Sequence, residues 1–225
     1  MRLIHEHPWN VTPKQAIEIQ ISLRNKVIHQ DKLKKVNYVG GVDVGFENDG
    51  KITRAAVAVL EYPSLALQEV KIERCETAFP YIPGLLSFRE LPAVLRVLDK
   101  IKQLPELILC DGQGYAHPRR FGIACHLGVL TGIPSIGVGK SRLTGTHKPV
   151  ANKRGAWKPL VDNDECIGAV LRTRVNVKPV YISTGHKITL KTAVYYVMQC
   201  CVRYKLPETT RMAHKYASQK QKMIH

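Results

Sequence analysis

Residues 106–122 read ELILCDGQGYAHPRRFG, and this stretch decides the fold. The four residues Leu107–Cys110 form an unbroken apolar run that ends just before two glycines. Such a run predicts a strand that is covered on both faces, as in a parallel sheet. Asp111 then stands at the carboxyl tip of that strand. In open sheets with helices on both faces, ligands bind at this tip because loops and helix N-termini converge there. Asp111 is therefore the first candidate site residue.

The turn that follows Asp111 is rich in basic side chains. Pro118 suits the first position of a helix, because its missing N–H is one that a helix start leaves unpaired anyway. A helix that begins at His117-Pro118 holds Arg119 and Arg120 in its first turn, where their charges oppose the helix dipole unless an anion binds. The sequence therefore predicts an anion site beside Asp111. The alternative is a strand-to-helix turn whose aspartate only caps the helix.

A second aspartate lies within a strand predicted at residues 38–46. Successive side chains of a strand point to opposite faces, so Asp43 shares one face with Gly41 and Gly45. Glycine inside a strand costs stability and often marks the close approach of a ligand or of another backbone. Asp43 is therefore a second candidate, against the alternative of a bulge with a solvated aspartate.

Glu90 is a third candidate, and its position depends on where the next helix begins. Ser87 and Glu90 have the spacing of a capping box, which would explain Glu90 without any function. Pro92 favours a later start, because a proline is tolerated at the first helical position and not deep inside. With Pro92 in that position, Glu90 lies just outside the helix and is free to face the other carboxylates. The helix then returns the chain to the strand that precedes Asp111.

The whole pattern predicts an α/β fold, in which an antiparallel meander joins parallel strands in one mixed sheet flanked by helices. We expect one domain over residues 1–225, with a flexible basic tail from about residue 216. Residues 144–164 are polar and irregular, which predicts a surface loop. The predicted strands after the 38–46 strand are residues 54–60, 67–77, 107–110, 134–138, 167–171 and 179–183.

Charge and composition narrow the class of partner. Lys and Arg exceed Asp and Glu by 16, and the sequence pI is about 9.7. Such an excess favours polyanions and salt-sensitive binding, although a structural RNA-binding protein has the same charge. The longest apolar run, residues 55–60, is far too short to span a membrane, and no signal-peptide core is present. The six cysteines lack C-x-x-C spacing, which favours a cytoplasmic protein with reduced thiols.

The three candidate carboxylates indicate a metal site. Asp43, Glu90 and Asp111 come from three separate elements, and carboxylates brought together repel each other unless cations lie between them. Oxygen ligands favour Mg²⁺, which Mn²⁺ can replace, over zinc. Such ions can hold a phosphodiester, activate an attacking water and stabilise the leaving oxygen. The carboxylates and the basic charge together therefore predict metal-assisted hydrolysis of a nucleic acid.

Five ordered motifs, spread from about residue 39 to residue 214, resemble endonuclease V, the repair endonuclease for deaminated bases. The motifs are Val42-Asp43-Val44-Gly45-Phe46, Pro80-Tyr81-Ile82-Pro83-Gly84 with Ser87-Phe88-Arg89-Glu90, Asp111-Gly112 with His117-Pro118-Arg119-Arg120 and Gly122, Ile136-Gly137-Val138 with Lys140, and Thr184-Gly185-His186. The resemblance implies a ribonuclease-H-like core. It also implies hydrolysis of the second phosphodiester 3′ to a deoxyinosine or inosine, which leaves a 3′-hydroxyl and a 5′-phosphate.

The resemblance also implies roles for single residues. Asp43, Glu90 and Asp111 would be the catalytic carboxylates and, together with His214, the metal ligands. Tyr81 would be a wedge that fills the gap left by the flipped base. The other residues implied to bind substrate fall into two sets: the base pocket is expected at Pro83, Gly84, Leu85 and Gly112, and the backbone phosphates at His117, Arg119 and Lys140.

Two other functions are open at this stage. One is a ribonuclease-H-like nuclease that reads the structure of a nucleic acid, such as a flap or junction, without regard to the base. The other is a non-catalytic nucleic-acid-binding protein that keeps the fold and the charge. The family resemblance leaves DNA and RNA equally open as substrates, and nothing in the sequence reads out a 2′-hydroxyl. We expect a monomer, because no long apolar stripe is left unexplained.

Overall fold

The computed structural model describes residues 1–218. Within them the chain forms five helices and eight strands. Their bounds are α1 Pro13–Arg24, β1 Tyr38–Glu47, β2 Ile52–Glu61, β3 Leu67–Glu76, α2 Leu86–Asp99, β4 Leu107–Asp111, α3 Ile123–Thr131, β5 Ser135–Gly139, β6 Trp157–Asp162, β7 Glu165–Leu171, β8 Val180–His186, α4 Leu190–Cys200 and α5 Glu208–Ser218.

The strands form one sheet in the order β3-β2-β1-β4-β5-β8-β7-β6. The first three strands are an antiparallel meander, β4 pairs in parallel with both β1 and β5, and the last three strands are antiparallel again. The predicted mixed α/β sheet is therefore confirmed. The loop predicted at 144–164 is wrong in part, because its second half is the edge strand β6, to which Thr146 also bridges through Val161.

The central strand β4 is covered on both faces, as its apolar run predicts. Leu107 and Leu109 belong to a core formed with α4 and α5. Ile108 and Cys110 belong to a second core, formed with α2 and α3. All four side chains are at most 1% exposed. Asp111, the next residue, therefore emerges from a rigid strand at the carboxyl edge of the sheet.

The two glycines beside Asp43 admit the backbone of α5. A methyl group added at Gly41 would overlap the carbonyl of Thr209, and one added at Gly45 would lie 2.6 Å from the carbonyl oxygen of Ala217. Of the two causes that the sequence left open, the structure shows the approach of another backbone. Because α5 lies directly on β1, its middle residue His214 is brought against Asp43.

We expect Gly41→Ala to lift α5 from the sheet. The added methyl overlaps backbone atoms that no side-chain rotation can move, so the free energy of unfolding should fall by about 1–3 kcal/mol. Divalent-metal affinity should fall with it, since His214 moves with α5. Calorimetry of Gly41→Ala and Gly155→Ala checks this: a methyl at Gly155 meets no atom within 4 Å, so its φ of +85° costs stability without moving α5, and metal affinity should stay normal. Normal metal affinity in Gly41→Ala would contradict the proposed role of these glycines.

The predicted start of α2 at Pro92 is wrong. The helix begins at Leu86, so Pro92 lies inside it and Glu90 is helical rather than in front of the helix. The capping box does not form either, because the Ser87 hydroxyl hydrogen-bonds His126 on α3 at 2.9 Å. A proline inside a helix removes one backbone hydrogen bond. Burial of the apolar face against the sheet outweighs that loss, as Val94 and Val97 are fully buried.

The predicted helix start at His117-Pro118 is also wrong. The chain turns at Arg120, whose φ is +58°, and α3 begins only at Ile123 after the cap residue Gly122. The two arginines therefore lie in a turn and do not oppose a helix dipole.

The C-terminal helix α5 includes the first residues of the predicted tail. Of the flexible tail predicted from about residue 216, residues 216–218 belong to α5, and the rest lies outside the described residues. No helix within residues 1–218 has the length and apolar character needed to cross a membrane.

Candidate active site

Three elements bring acidic and imidazole side chains together at the carboxyl edge of the sheet. Asp43 comes from β1, Asp111 from the tip of β4 and His214 from α5. Each offers one ligand atom, and these three atoms all lie within 4.8 Å of one another. His214 Nδ1 is 2.7 Å from Asp43 Oδ2. Asp43 pairs with Ala56 of β2, and its neighbour Val42 pairs with Cys110 of β4, so the cluster is built on the centre of the sheet.

Glu90 approaches the same cluster from α2. It is only 8% exposed, and burial, followed by the charges of Asp43 and Asp111, raises the pKa of its carboxyl to about 8. Burial and the charge of Asp111 also raise the pKa of Asp43. Glu90 is not one of the residues whose ligand atoms lie within 4.8 Å of one another. The structure therefore places it beside the other carboxylates and electrostatically coupled to them.

The donor set fits a divalent cation. Carboxylates that raise each other's pKa are stabilised when a cation is bound between them. Carboxylate oxygens suit Mg²⁺ or Mn²⁺, and the single imidazole nitrogen of His214 favours Mn²⁺ somewhat. Lys140, at the end of β5, forms an ion pair with Asp111 Oδ2 and supplies a further positive charge at the edge of this cluster.

The coupling of Glu90 predicts how stability depends on pH when metal is removed. The folded protein keeps Glu90 protonated up to about pH 8, whereas an unfolded chain releases that proton near its ordinary pKa of 4.5. The folded state thus holds more protons in this window, so its free energy of unfolding should fall as the pH rises from 4.5 to 8. Urea denaturation in EDTA, compared with the variant Glu90→Gln, measures the effect.

The comparison with Glu90→Gln is needed because buried histidines titrate in the same range with the opposite sign. Burial holds the pKa of His126 well below its ordinary value, so its contribution to stability rises with pH. The contribution of Glu90 is therefore the difference in the free energy of unfolding between the wild type and Glu90→Gln at each pH. Glu18→Gln, on the exposed side of α1, is the matched control. A pH profile of Glu90→Gln that is parallel to that of the wild type would remove the predicted coupling.

A cleft of about 330 Å³ opens beside the carboxylate cluster. Asp111 lines it and so belongs to both features. Six residues predicted to bind substrate also line it, namely Tyr81, Pro83, Gly84, Gly112, His117 and Lys140. Its volume suits a single planar base, and its walls combine apolar side chains with the exposed backbone of glycines.

The predicted wedge Tyr81 and the predicted base-pocket residue Leu85 differ sharply in exposure. Tyr81 is 69% exposed at the mouth of the cleft, in a loop stiffened by the prolines on either side. Leu85 is only 1% exposed and packs in a small hydrophobic cluster with Phe79 and Phe88. The Leu85 side chain therefore packs in the core under the loop and does not line the cleft.

His117 and Arg119 both donate to the carbonyl oxygen of Gly84. The distances are 3.1 Å from His117 Nε2 and 2.6 Å from Arg119 Nη2. Burial and the nearby Arg119 charge lower the pKa of His117 to about 4, so the imidazole is neutral at neutral pH. The structure thus uses both side chains to support the loop, and the phosphate contacts expected of them stay a prediction. Arg120 instead pairs with Asp162 and Glu165.

Two further polar residues at the cleft were missed by the sequence analysis. Gln20 on α1 is buried and lines the cleft. The signal was present in the sequence, because Gln20 falls one helical turn after Ala16, on the buried side of an amphipathic helix. Gln113 also lines the cleft and donates to the carbonyl of Ser141 at 3.0 Å. Only the tertiary structure shows that these two amides meet the same cleft.

Comparisons with known proteins match nearly the whole chain to one family. The family model of endonuclease V matches residues 21–215. Endonuclease V of Trichormus variabilis is 59% identical over 97% of this chain and 99% of its own length. The crystal structure of endonuclease V from Streptomyces avermitilis is 41% identical, with a TM-score of 0.89 over 93% of this chain and 92% of that one.

A third relative has been solved with a nucleic acid. It is endonuclease V of Ciona intestinalis in complex with a 24mer DNA that contains an inosine followed by a ribo-adenosine. That chain is 29% identical, with a TM-score of 0.78 over 91% of this chain and 95% of its own. The family match and the identity extend over almost the entire sequence. This chain therefore belongs to the endonuclease V family.

Proposed function

We propose that the protein is a metal-dependent endonuclease that recognises a deaminated base, deoxyinosine or inosine, and hydrolyses the second phosphodiester on its 3′ side. The products would carry a 3′-hydroxyl and a 5′-phosphate, and the reaction would serve nucleic-acid repair. One observation carries the proposal: Asp111 lies both in the cluster of possible metal ligands and in the wall of a base-sized cleft. The inosine-containing DNA bound by the relative from Ciona intestinalis supports the choice of base.

Asp43, Asp111 and His214 would hold the cation, and the carboxyl of Glu90 would lie beside these ligands. A bound Mg²⁺ or Mn²⁺ at such a site polarises the phosphate and lowers the pKa of an attacking water. A cation held by Asp43 and Asp111 would offset the negative charges that help to raise the pKa of Glu90, and would so favour its ionised form as a further oxygen ligand. Lys140, already paired with Asp111, would place a positive charge where the phosphate charge develops.

The cleft would recognise the base, and Tyr81 would separate it from its neighbours. An exposed aromatic ring on a stiff loop can enter the stack while the target base turns outward into a pocket. Gly84 and Gly112 would bring backbone groups close to the base edge, since neither has a side chain in the way. The net charge of +16 favours binding of the nucleic-acid backbone in a salt-dependent manner. The six free cysteines support a reducing compartment, which we propose is the cytoplasm.

A nicking assay tests the proposal. End-labelled duplex DNA and single-stranded RNA, each with one central inosine or an adenosine control, are incubated with the protein in Mg²⁺, Mn²⁺ or EDTA. We expect cation-dependent scission one nucleotide beyond the inosine and little cutting of the controls. The ratio of the DNA and RNA rates gives the substrate preference.

Two outcomes would favour the other functions. Equal cutting of the inosine and adenosine substrates would indicate a nuclease that reads structure and would overturn base recognition. Binding that survives EDTA without any scission in Mg²⁺ or Mn²⁺ would indicate a non-catalytic nucleic-acid-binding protein.

A further inference from the structure

The carbonyl oxygen of Gly84 accepts three hydrogen bonds from side chains. The donors are Gln20 Nε2 at 3.0 Å, His117 Nε2 at 3.1 Å and Arg119 Nη2 at 2.6 Å. A carbonyl oxygen has two lone pairs, so three donors saturate it. One of the three carries a full charge, which strengthens its bond. The backbone at Gly84 is therefore held from three directions, and we call Gln20, His117 and Arg119 the Gly84 clamp.

Gln20 is the member of the clamp that joins separate parts of the fold. Its Nε2 also donates to the carbonyl of Phe121 at 3.2 Å, and its Oε1 accepts from Arg119 Nε. The side chain is 1% exposed, so these bonds are made away from water. The amide has only one workable orientation, because a flip would point Oε1 at two carbonyl oxygens. Gln20 thus ties α1 to the loop of Gly84 and to the turn before α3.

Hydrogen bonds also fix the orientation of His117 and Arg119, the other two members of the clamp. His117 Nδ1 accepts the backbone N–H of Arg119 at 3.1 Å, so the ring proton is on Nε2, which donates to Gly84. Gly84 itself has a φ of +79°, which favours glycine, and a methyl added there would lie 2.7 Å from Arg119 Nη2. The clamp is therefore closed around a backbone position that only glycine fits without strain.

The clamp lies at the base of the loop that carries the exposed ring of Tyr81. At the end of this loop the Leu85 N–H donates to the Ile82 carbonyl oxygen at 3.0 Å, which closes a turn that contains Gly84. Both Gly84 and Gln20 line the cleft, so a shift at Gly84 alters the pocket wall and the direction of Tyr81 together. Recognition gains from a loop that is already in the bound conformation, because no ordering cost is then paid on binding.

We propose that Gln20 is a positioning residue that acts through the Gly84 carbonyl to preset the Tyr81 loop and the cleft wall for the deaminated base. This inference rests on the proposed function of the same site. Gln20 contacts neither the carboxylate cluster nor the exposed ring, so its effect is on engagement of the base and not on the hydrolytic step.

The test uses Gln20→Met, which keeps the volume and removes every hydrogen bond, and Gln20→Glu, which keeps an acceptor for Arg119 but loses the donors to Gly84. Gln199→Met, on the exposed side of α4, is the matched control. KM, kcat and the ratio of inosine to adenosine binding are measured at least 15 °C below each melting midpoint, so that unfolding does not enter. A 2-aminopurine beside the inosine reports unstacking by fluorescence.

We expect both Gln20 variants to raise KM for the inosine substrate about tenfold, since Gln20→Glu loses two hydrogen bonds and Gln20→Met loses three, with kcat within about twofold of wild type. Their affinity for the adenosine control should stay unchanged, and the 2-aminopurine signal should drop. Gln199→Met should match the wild type.

The proposal and the proposed function fail in different ways. A wild-type protein that does not distinguish inosine from adenosine overturns the function. A wild type that does distinguish them, with a Gln20→Glu variant of normal KM and selectivity, overturns the positioning role.

Discussion

Asp43→Asn should reduce the rate of inosine-directed scission by about three orders of magnitude or more. The variant keeps the shape of the side chain but replaces a charged ligand oxygen by a neutral amide. A metal-activated phosphate and water contribute several kcal/mol to transition-state stabilisation, and each 1.4 kcal/mol is a factor of ten in rate. Binding of inosine substrate in Ca²⁺ should stay within about threefold of wild type, because the cleft and Tyr81 are untouched.

The measurement is single-turnover cleavage in Mg²⁺ together with a gel-shift titration in Ca²⁺. Asp49→Asn is the matched control, since Asp49 is an exposed aspartate in the turn after β1 with a φ of +54°, which asparagine also accepts. The Asp43 variant should not be less stable in EDTA, because it removes one of three mutually repelling carboxylates. Substantial cutting by Asp43→Asn would take this residue out of the metal site.

Tyr81→Ala should weaken engagement of an inosine-containing duplex by about tenfold to a hundredfold. The ring is 69% exposed, so its loss removes little packing and the free energy of unfolding should change by no more than about 0.5 kcal/mol. Stacking of an aromatic side chain on a base contributes about 1–3 kcal/mol, which sets the expected range. Tyr81→Phe keeps the ring and should bind like the wild type.

Competition titrations with inosine and adenosine duplexes, and thermal melts of the same samples, check this prediction. Tyr195→Ala is the control, because Tyr195 is 53% exposed on α4, away from the residues that line the cleft. Single-stranded substrates should be less sensitive to Tyr81→Ala, since their bases need less unstacking. An unchanged inosine affinity in the duplex would remove the wedge role from Tyr81.

Strand patterns predicted the sheet well because burial leaves a direct trace in sequence. The run Leu107–Cys110 is apolar throughout since β4 is buried on both faces, and it located Asp111 at the strand tip. The glycines beside Asp43 predicted that another group lies close to β1, but the sequence does not show whether that group is a ligand or, as in the structure, the backbone of α5. The contact is with residues about 170 positions later, and no local pattern carries that information.

Helix starts were predicted less well, because local rules gave way to tertiary contacts. Pro92 has a clear local preference for a helix N-terminus, yet burial of the helix face against the sheet extends α2 six residues before it. The extension buries Glu90, and this burial, with the neighbouring carboxylates, raises the pKa of Glu90 to about 8. The basic turn after Asp111 likewise satisfies its charges across the fold, at Gly84 for Arg119 and at Glu165 for Arg120.

The packing of α5 on β1 means that the His214–Asp43 contact can form only late in synthesis of the chain. His214 reaches Asp43 across 171 positions of chain, and every strand of the sheet is synthesised before α5. A nascent chain therefore acquires Asp43 and Asp111 long before it acquires the imidazole, and Gly41 and Gly45 lie bare until α5 docks. Since translation proceeds at about 5–20 residues per second, this interval lasts several seconds. Of the residues that the structure brings together around Asp43, His214 is thus the last to be synthesised, and the proposed metal site gains its imidazole only when α5 packs on β1.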